Sequence, residues 1–168
     1  MKPLVSIIMG STSDYSVMEK AALFLDQQEI PFEINALSAH RTPMEVSEFA
    51  RNAEGRGIKV IIAAAGMAAA LPGAIAAETT LPVIGVPVKS SFEGMDSVLS
   101  MLQMPPAVPV SVMAVNGSLN AAIMAMEILA LTNEEINKRM HAYKQSLKEK
   151  IVKANEEFSK IEFKYKTN

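Results

Sequence analysis

Short apolar runs alternate with amphipathic segments along residues 1–131. Five runs are rich in β-branched residues and end at Gly, Pro or polar turns, which is typical of buried parallel strands. Between them, apolar residues recur every three or four positions, as one face of a helix requires. The predicted strands are Leu4–Met9, Phe32–Leu37, Val60–Ala65, Val83–Val86 and Val108–Val115.

Each predicted strand is followed by a segment with helical periodicity. Ser13 is the expected N-cap of the first helix. The second helix has a strong start, with the Thr42 hydroxyl as cap, Pro43 at the first position and Glu45 at the third. The remaining helices are predicted over Ala74–Thr79, Asp96–Gln103 and Leu119–Leu131. This alternation implies parallel βαβ units, with the less apolar Phe32–Leu37 strand near an edge and Val60–Ala65 central.

Residues 132–168 differ from the rest. Thr132 with Glu135 forms a capping box, and a highly charged helix of about six turns is expected after it. One apolar stripe runs along this helix, which indicates packing on its own domain or on a neighbouring subunit. The stripe consists of Ile136, Met140, Tyr143, Leu147, Ile151, Ala154 and Phe158. We therefore expect a single α/β domain over 1–168, with a core of 1–131 and a C-terminal helix and tail of 132–168.

Composition excludes several classes of function. The chain has no cysteine, so thiolate metal sites and a cysteine nucleophile are excluded, and its two histidines are too far apart in sequence to favour a zinc site. The net charge of −2 gives no nucleic-acid footprint. No apolar run approaches the ~20 residues of a membrane span, and the run at the N-terminus is too short for a signal peptide. A cytoplasmic location is the simplest expectation.

Two of the predicted strand-to-helix turns have residues suited to an anion. Gly10–Asp14 is a Gly/Ser/Thr turn that opens a helix, where hydroxyls and free amide N–H groups can face a phosphate. It lacks the residues of a Walker loop and of GxGxxG, so a plain helix cap remains open. The second turn, Ser38–Pro43, places His40 beside Arg41, which offers a proton carrier next to an anion-binding fork. Ligands of open α/β sheets bind at such turns.

Six segments together resemble the N5-carboxyaminoimidazole ribonucleotide mutase family of purine biosynthesis. They occur in the family's order over roughly residues 3–131. They are GSTSD (10–14), SAHRTP (38–43), GMAAALPG (66–73), LPVIGVPV (81–88), GMDSVLSMLQMP (94–105) and NAA (120–122). The resemblance implies a flavodoxin-like, three-layer αβα fold around a five-stranded parallel sheet, and a homo-octamer.

The resemblance also implies an activity. The expected reaction converts N5-carboxyaminoimidazole ribonucleotide to 4-carboxy-5-aminoimidazole ribonucleotide without metal or organic cofactor. His40 would move the proton, Arg41 would hold the phosphate and the Gly66–Gly73 loop would line the base and carboxylate pocket. The substrate-binding residues expected on this basis are Ser11, Ser13, Asp14, Ser38, Arg41, Gly66, Ala68, Ala69, Ala70 and Leu71.

The chain departs from the family pattern at three positions. Tyr15 replaces a usual tryptophan and Met67 a usual glycine, and both changes are mild. Ala70 stands where the family pattern has a histidine, so one imidazole of the expected pocket is missing. Three alternatives stay open: a direct carbon dioxide-dependent aminoimidazole ribonucleotide carboxylase, whose loop resembles GRSN rather than Met67–Ala69; a non-catalytic nucleotide-binding paralogue impaired at Ala70; and a flavin carrier, which the scarcity of aromatic residues disfavours.

Overall fold

All five predicted strands form one parallel sheet in the computed structural model, which describes residues 2–168. They are β1 (Val5–Met9), β2 (Phe32–Ala36), β3 (Val60–Ala65), β4 (Val83–Pro87) and β5 (Ser111–Val112). Their order is β2-β1-β3-β4-β5, which is the flavodoxin-like order. Strand β2 lies on one side of β1, and β3, β4 and β5 follow one another on its other side. The edge position of β2 and the central position of β3 confirm the prediction.

The pairing register brings the strand ends to one level. Met9 at the end of β1 pairs with Ala36 of β2 and with Ala64 of β3. Ala65 pairs in turn with Pro87 at the end of β4. Four turns therefore leave the same edge of the sheet side by side.

Helices cover both faces of the sheet and complete the three layers. Those on one side bury their apolar stripes with one core cluster, and those on the other side with a second cluster. Helices α1, α5 and α6 belong to the first group, and α2, α3 and α4 to the second. Their bounds are α1 (Tyr15–Gln27), α2 (Pro43–Arg56), α3 (Leu71–Ala76), α4 (Met95–Leu102), α5 (Ser118–Ala130) and α6 (Glu134–Ser159).

Two predicted elements differ in extent. The strand expected over Val108–Val115 is regular only at Ser111–Val112, because Pro109 has no N–H to donate to a ladder. Its extension still follows β4, since the Met113 N–H donates to the Gly85 carbonyl. The helix expected over 74–79 begins three residues earlier, at Leu71, with a proline in its first turn.

The hydroxyl groups of Ser13 and Thr42 do not form the predicted helix caps at the starts of α1 and α2. Ser13 lies inside a single 3₁₀ turn, Thr12–Asp14, and the cap of that turn is Ser11, whose Oγ accepts from the Ser13 N–H. Pro43 opens α2 as predicted, but the Thr42 hydroxyl does not cap it. That hydroxyl accepts from the Ser38 N–H at 2.9 Å and donates to the Ser38 carbonyl at 3.1 Å, so it closes the preceding turn.

The long helix α6 is confirmed, but its cap differs from the prediction, and its stripe is buried only in part. Asn133, rather than Thr132, caps the helix by accepting from the N–H groups of Glu135 and Ile136. The first part of the stripe packs on the chain's own core, and Tyr143 meets the Phe24 ring edge-on at 5.0 Å. The apolar residues beyond it are exposed, namely Leu147, Ile151 and Phe158.

The cap of α6 gives a stability prediction. Asn133→Ala should lower the free energy of unfolding by about 1 kcal/mol, because two amide donors of the first turn lose their acceptor. Thr132→Ala, the matched control, should change it by less than about 0.5 kcal/mol. Urea unfolding at one fixed protein concentration measures both variants. Equal losses in the two would show that the capping assignment is wrong.

Candidate active site

The four turns at the carboxyl edge of the sheet enclose a cavity of about 740 Å³. Every residue expected from the sequence to meet the substrate lies on its wall. These residues are Ser11, Ser13, Asp14, Ser38, His40, Arg41, Gly66, Ala68, Ala69, Ala70 and Leu71. The parallel register described above brings them together, although they are separated by up to 60 positions in sequence.

The turn after β1 presents two hydroxyls to the cavity. The Ser13 hydroxyl donates to Ser11 Oγ at 2.8 Å, so the two side chains form one polar group at the start of the 3₁₀ turn. Gly10 precedes them and extends the ladder, because its N–H donates to the Ala64 carbonyl. The arrangement is suited to an oxyanion beside a helix start.

Arg41 connects the turn after β2 to the turn after β1. Its Nη2 donates to the Gly10 carbonyl at 2.9 Å, and its Nε donates to Ser38 Oγ at 3.3 Å. The guanidinium is therefore held beside Ser11 although the side chain is exposed. Part of its planar fork remains available for an anion in the cavity.

His40 lies at the tip of the Ser38–Thr42 turn. The backbone N–H groups of Arg41 and Thr42 both donate to the Ser38 carbonyl, at 3.2 and 2.7 Å. Together with the Thr42 hydroxyl, these bonds fix the turn at both ends. The imidazole is exposed at the cavity wall, where a bound molecule can reach it.

The Asp14 carboxyl is half-buried beside the two serines. Burial raises its pKa above the ordinary value, while the Ser11 backbone, the Ser13 hydroxyl and the positive charge of Arg41 act in the opposite direction. The carboxylate can accept hydrogen bonds from hydroxyl groups of a ligand.

The loop after β3 is tightly constrained. A Cβ on Gly66 would lie 3.3 Å from both the Ser90 Cβ and the Val88 carbonyl oxygen, so the glycine allows this loop to contact the loop after β4. Met67 adopts a φ of 55°, in the left-handed region, which costs an L-residue with a Cβ about 1–2 kcal/mol. The Ala69 N–H donates to the Gly66 carbonyl and closes the turn.

Ala70 directly precedes α3 and contributes only a methyl group to the cavity wall. Its neighbours Ala68 and Ala69 are equally small, so this wall has no side-chain donor or acceptor. The polar groups here are those of the backbone.

Sequence reasoning missed part of the wall. The cavity is also lined by Ser16, Val17, Val88, Lys89 and Ser90. Lys89 and Ser90 follow β4, and the rule that places ligands at the carboxyl ends of parallel strands applies to this turn as well. No helix cap or recognisable motif marks Lys89 and Ser90 in the sequence, so motifs and periodicity alone do not single them out.

Other features within residues 2–168 do not compete with this site. A depression of about 320 Å³ lies outside β2, where Glu33 and Arg56 pair with each other at 2.9 Å. Its wall also carries the carboxylates of Glu45 and Glu48, so it does not suit an anionic ligand. The described residues contain no group of three or more His, Asp or Glu side chains that could hold a metal ion. None of their helices is both long enough and apolar enough to cross a membrane.

The chain is similar to known proteins over most of its length. The family model of AIR carboxylase matches residues 4–150. An N5-carboxyaminoimidazole ribonucleotide mutase of Thermotoga maritima is 48% identical over 163 residues, covering 96% of this chain and 95% of the relative. The mutase of Bacillus subtilis is 47% identical and covers 94% and 99%. The phosphoribosylaminoimidazole carboxylase of Saccharomyces cerevisiae is 48% identical, but the chain spans only 27% of its length.

Solved structures show the same fold. The crystal structure of Treponema denticola PurE superposes with a TM-score of 0.84 at 32% identity, over 92% of this chain and 98% of that one. Its PurE2-S38D counterpart gives 0.85, also at 32% identity. On the extent of the family match and the identity to these relatives, the chain belongs to the AIR carboxylase family.

Proposed function

We propose that the chain is an N5-carboxyaminoimidazole ribonucleotide mutase, an isomerase of purine biosynthesis acting in the cytoplasm. Relatives named N5-carboxyaminoimidazole ribonucleotide mutase match at 46–51% identity over most of the chain. The carboxylase-named relatives are much longer proteins, of which the chain covers 27–30%. The Met67–Ala69 segment also differs from the GRSN-like loop expected of a direct carboxylase. Both points favour the mutase.

The observation that most supports this proposal is the position of Arg41 and His40 on one turn. The Arg41 guanidinium reaches the Gly10 carbonyl beside the two serines, while His40 stays at the tip of the turn. A phosphate held by Arg41, Ser11 and Ser13 then lies close to a proton carrier. In this proposal Asp14 accepts ribose hydroxyls, and Ser38 helps to orient the arginine.

The proposed chemistry needs one group that both takes and gives a proton. The carbamate N–C bond breaks to release carbon dioxide, and the ring carbon attacks it to form the new C–C bond. The ring carbon must then lose a proton, and the exocyclic nitrogen must gain one. His40 can do both, because a ring nitrogen of an imidazole can accept a proton and release it again.

The Gly66–Leu71 loop has the second role in this proposal. Carbon dioxide has no charge and must be kept beside the ring by enclosure, so the contribution of the loop is one of positioning. Backbone amides of the loop suit the carboxylate, since its alanine side chains offer no polar group. Ala70 leaves this part of the wall wider than an imidazole would.

The proton carrier is tested by His40→Asn. We expect the variant to fold and to bind nucleotide, but to lose roughly 10²–10⁴-fold in turnover of the carbamate substrate. His141→Asn, which changes the exposed histidine of α6, is the matched control and should turn over at the parent rate. Parent-like turnover in His40→Asn would mean that the proton takes another route.

The phosphate site is tested by Arg41→Ala. We expect the affinity for the product nucleotide to fall by roughly 1.5–3 kcal/mol, the value of hydrogen bonds to a charged group. Arg51→Ala is a suitable control, because this arginine pairs with Glu78 and lies away from the cavity wall. Titration calorimetry measures both variants. An unchanged affinity in Arg41→Ala would remove Arg41 from the phosphate site.

Ala70 decides between an active mutase and an impaired paralogue. We expect the parent to be active and Ala70→His to increase turnover by up to roughly 10²-fold, because a fuller wall positions the reacting carbon dioxide better. A parent without turnover beside an active Ala70→His variant would instead identify an impaired paralogue. Supplying aminoimidazole ribonucleotide with carbon dioxide, in place of the carbamate, tests for direct carboxylation.

We also propose a homo-octamer. The alanines at the end of β3, Ala63–Ala65, are buried within the chain's own sheet and so do not form a contact surface. The exposed apolar residues of the tail support assembly better, since an exposed stripe of this size is typical of an interface. They include Leu147, Ile151, Val152, Phe158, Ile161, Phe163 and Tyr165.

Light scattering at micromolar concentration tests the assembly. We expect a mass about eight times the 18.1 kDa of the chain. Ile151→Ser combined with Phe158→Ser should raise the concentration at which the assembly dissociates, because both side chains lose apolar contact area. Lys150→Ser with Lys153→Ser is the control on the same helix. A monomeric parent would contradict the octamer.

A further inference from the structure

The loop after β4 adds a second cation to the cavity. Among the described residues of the wall, the side chains with a permanent positive charge are Arg41 and Lys89. Nothing in the proposed mechanism so far uses Lys89. The Lys89 ammonium forms an ion pair with the Glu93 carboxylate four residues later.

The two cations stand at opposite ends of the site. Arg41 follows β2, but its guanidinium reaches the Gly10 carbonyl at the end of β1, and Lys89 follows β4. The order β1-β3-β4 puts two strand spacings between these ends, which is roughly 10 Å at about 4.8 Å per spacing. The loop Gly66–Leu71 lies between them, after β3. A cavity of this kind suits a ligand with one anionic group at each end better than a single phosphate.

We propose that Lys89 holds the carboxylate attached to the imidazole ring, at the end of the cavity away from the phosphate. This inference rests on the proposed mutase function, which supplies a nucleotide with two separate anionic groups. Arg41 and the two serines meet the phosphate, and Lys89 meets the carboxylate beside the Gly66–Leu71 loop. Lys89 is thus a substrate-positioning residue in addition to the acid–base histidine.

The backbone of Lys89 is well anchored for this role. Its N–H donates to Asn116 Oδ1 at 2.9 Å, and the Asn116 N–H donates to the Pro87 carbonyl at 2.8 Å. The next residue, Ser90, lies against Gly66, where a Cβ would be 3.3 Å away. The base of the lysine is therefore fixed, while its four-carbon stem lets the ammonium change partner.

Glu93 is a partner that is easily replaced. Its side chain is 81% exposed and that of Lys89 is 52% exposed, so water screens their attraction. A ligand carboxylate inside the cavity is less screened and can take the place of Glu93. The ion pair thus holds Lys89 near the cavity in the empty protein and competes with the ligand for it.

Binding of two nucleotides that differ by one carboxylate tests the assignment. Lys89→Met should weaken 4-carboxy-5-aminoimidazole ribonucleotide roughly tenfold, as expected of a charged hydrogen bond in a half-open site. The same variant should leave aminoimidazole ribonucleotide, which lacks the carboxylate, unchanged. Glu93→Gln should act in the opposite direction and tighten the carboxylated nucleotide. Lys138→Met, which removes a comparable exposed ion pair with Glu135 on α6, is the control and should change neither affinity.

Any other result of these binding measurements contradicts the role assigned to Lys89. Equal weakening of both nucleotides in Lys89→Met would place Lys89 at the phosphate, and no weakening of either would leave it a surface lysine. If the parent binds and converts the carbamate while Lys89→Met has parent affinities, the mutase proposal stands and only the role of Lys89 fails. If the parent binds neither nucleotide, the mutase proposal fails and this inference fails with it.

Discussion

The parallel register of the sheet is the constraint on which the site depends. Met9, Ala36, Ala65 and Pro87 end their strands at nearly one level, so four separate turns open into one cavity. A slip of a strand by one residue would also reverse which side chains face each core cluster. The hydrophobic burial that fixes the register therefore fixes the geometry of the site as well, and the two cannot vary independently.

At the turn after β2, hydroxyl groups form hydrogen bonds within the turn instead of capping the helix that follows. Thr42 has the sequence position of a helix cap, yet its side chain bonds to both backbone groups of Ser38. Ser38 in turn accepts from the Arg41 side chain, and Arg41 donates to the Gly10 carbonyl. The result is a chain of contacts between the turns after β2 and β1. It stiffens the segment that presents His40, at the expense of a side-chain cap on α2.

Much of the fold follows from sequence periodicity, and the errors have identifiable physical causes. Strand positions and the edge location of β2 were predictable, because burial on both faces leaves continuous apolar runs. The predicted side-chain caps of α2 and α6 and the length of one strand were wrong. Thr42 closes a turn instead of capping α2, Asn133 caps α6 in place of Thr132, and Pro109 shortens β5. In the tail, the periodic stripe continues past Tyr143 although burial does not. Periodicity alone cannot distinguish the chain's own core from a partner surface.

The site was predictable where its residues form motifs that open helices, as at Gly10–Asp14 and Ser38–Pro43. The position of Lys89 in the site could be predicted only with the sheet topology in hand, because the strand order shows that the loop after β4 shares the cavity.

The proposed chemistry also makes a demand that the single chain does not meet. A transient carbon dioxide needs enclosure, yet His40 and Arg41 are exposed in the single chain. In the proposed reaction the bound nucleotide would fill part of the opening, and contact with a neighbouring copy would close more of it. Assembly and catalysis are therefore linked in this proposal, because the chain that supplies the proton carrier does not by itself exclude water from it.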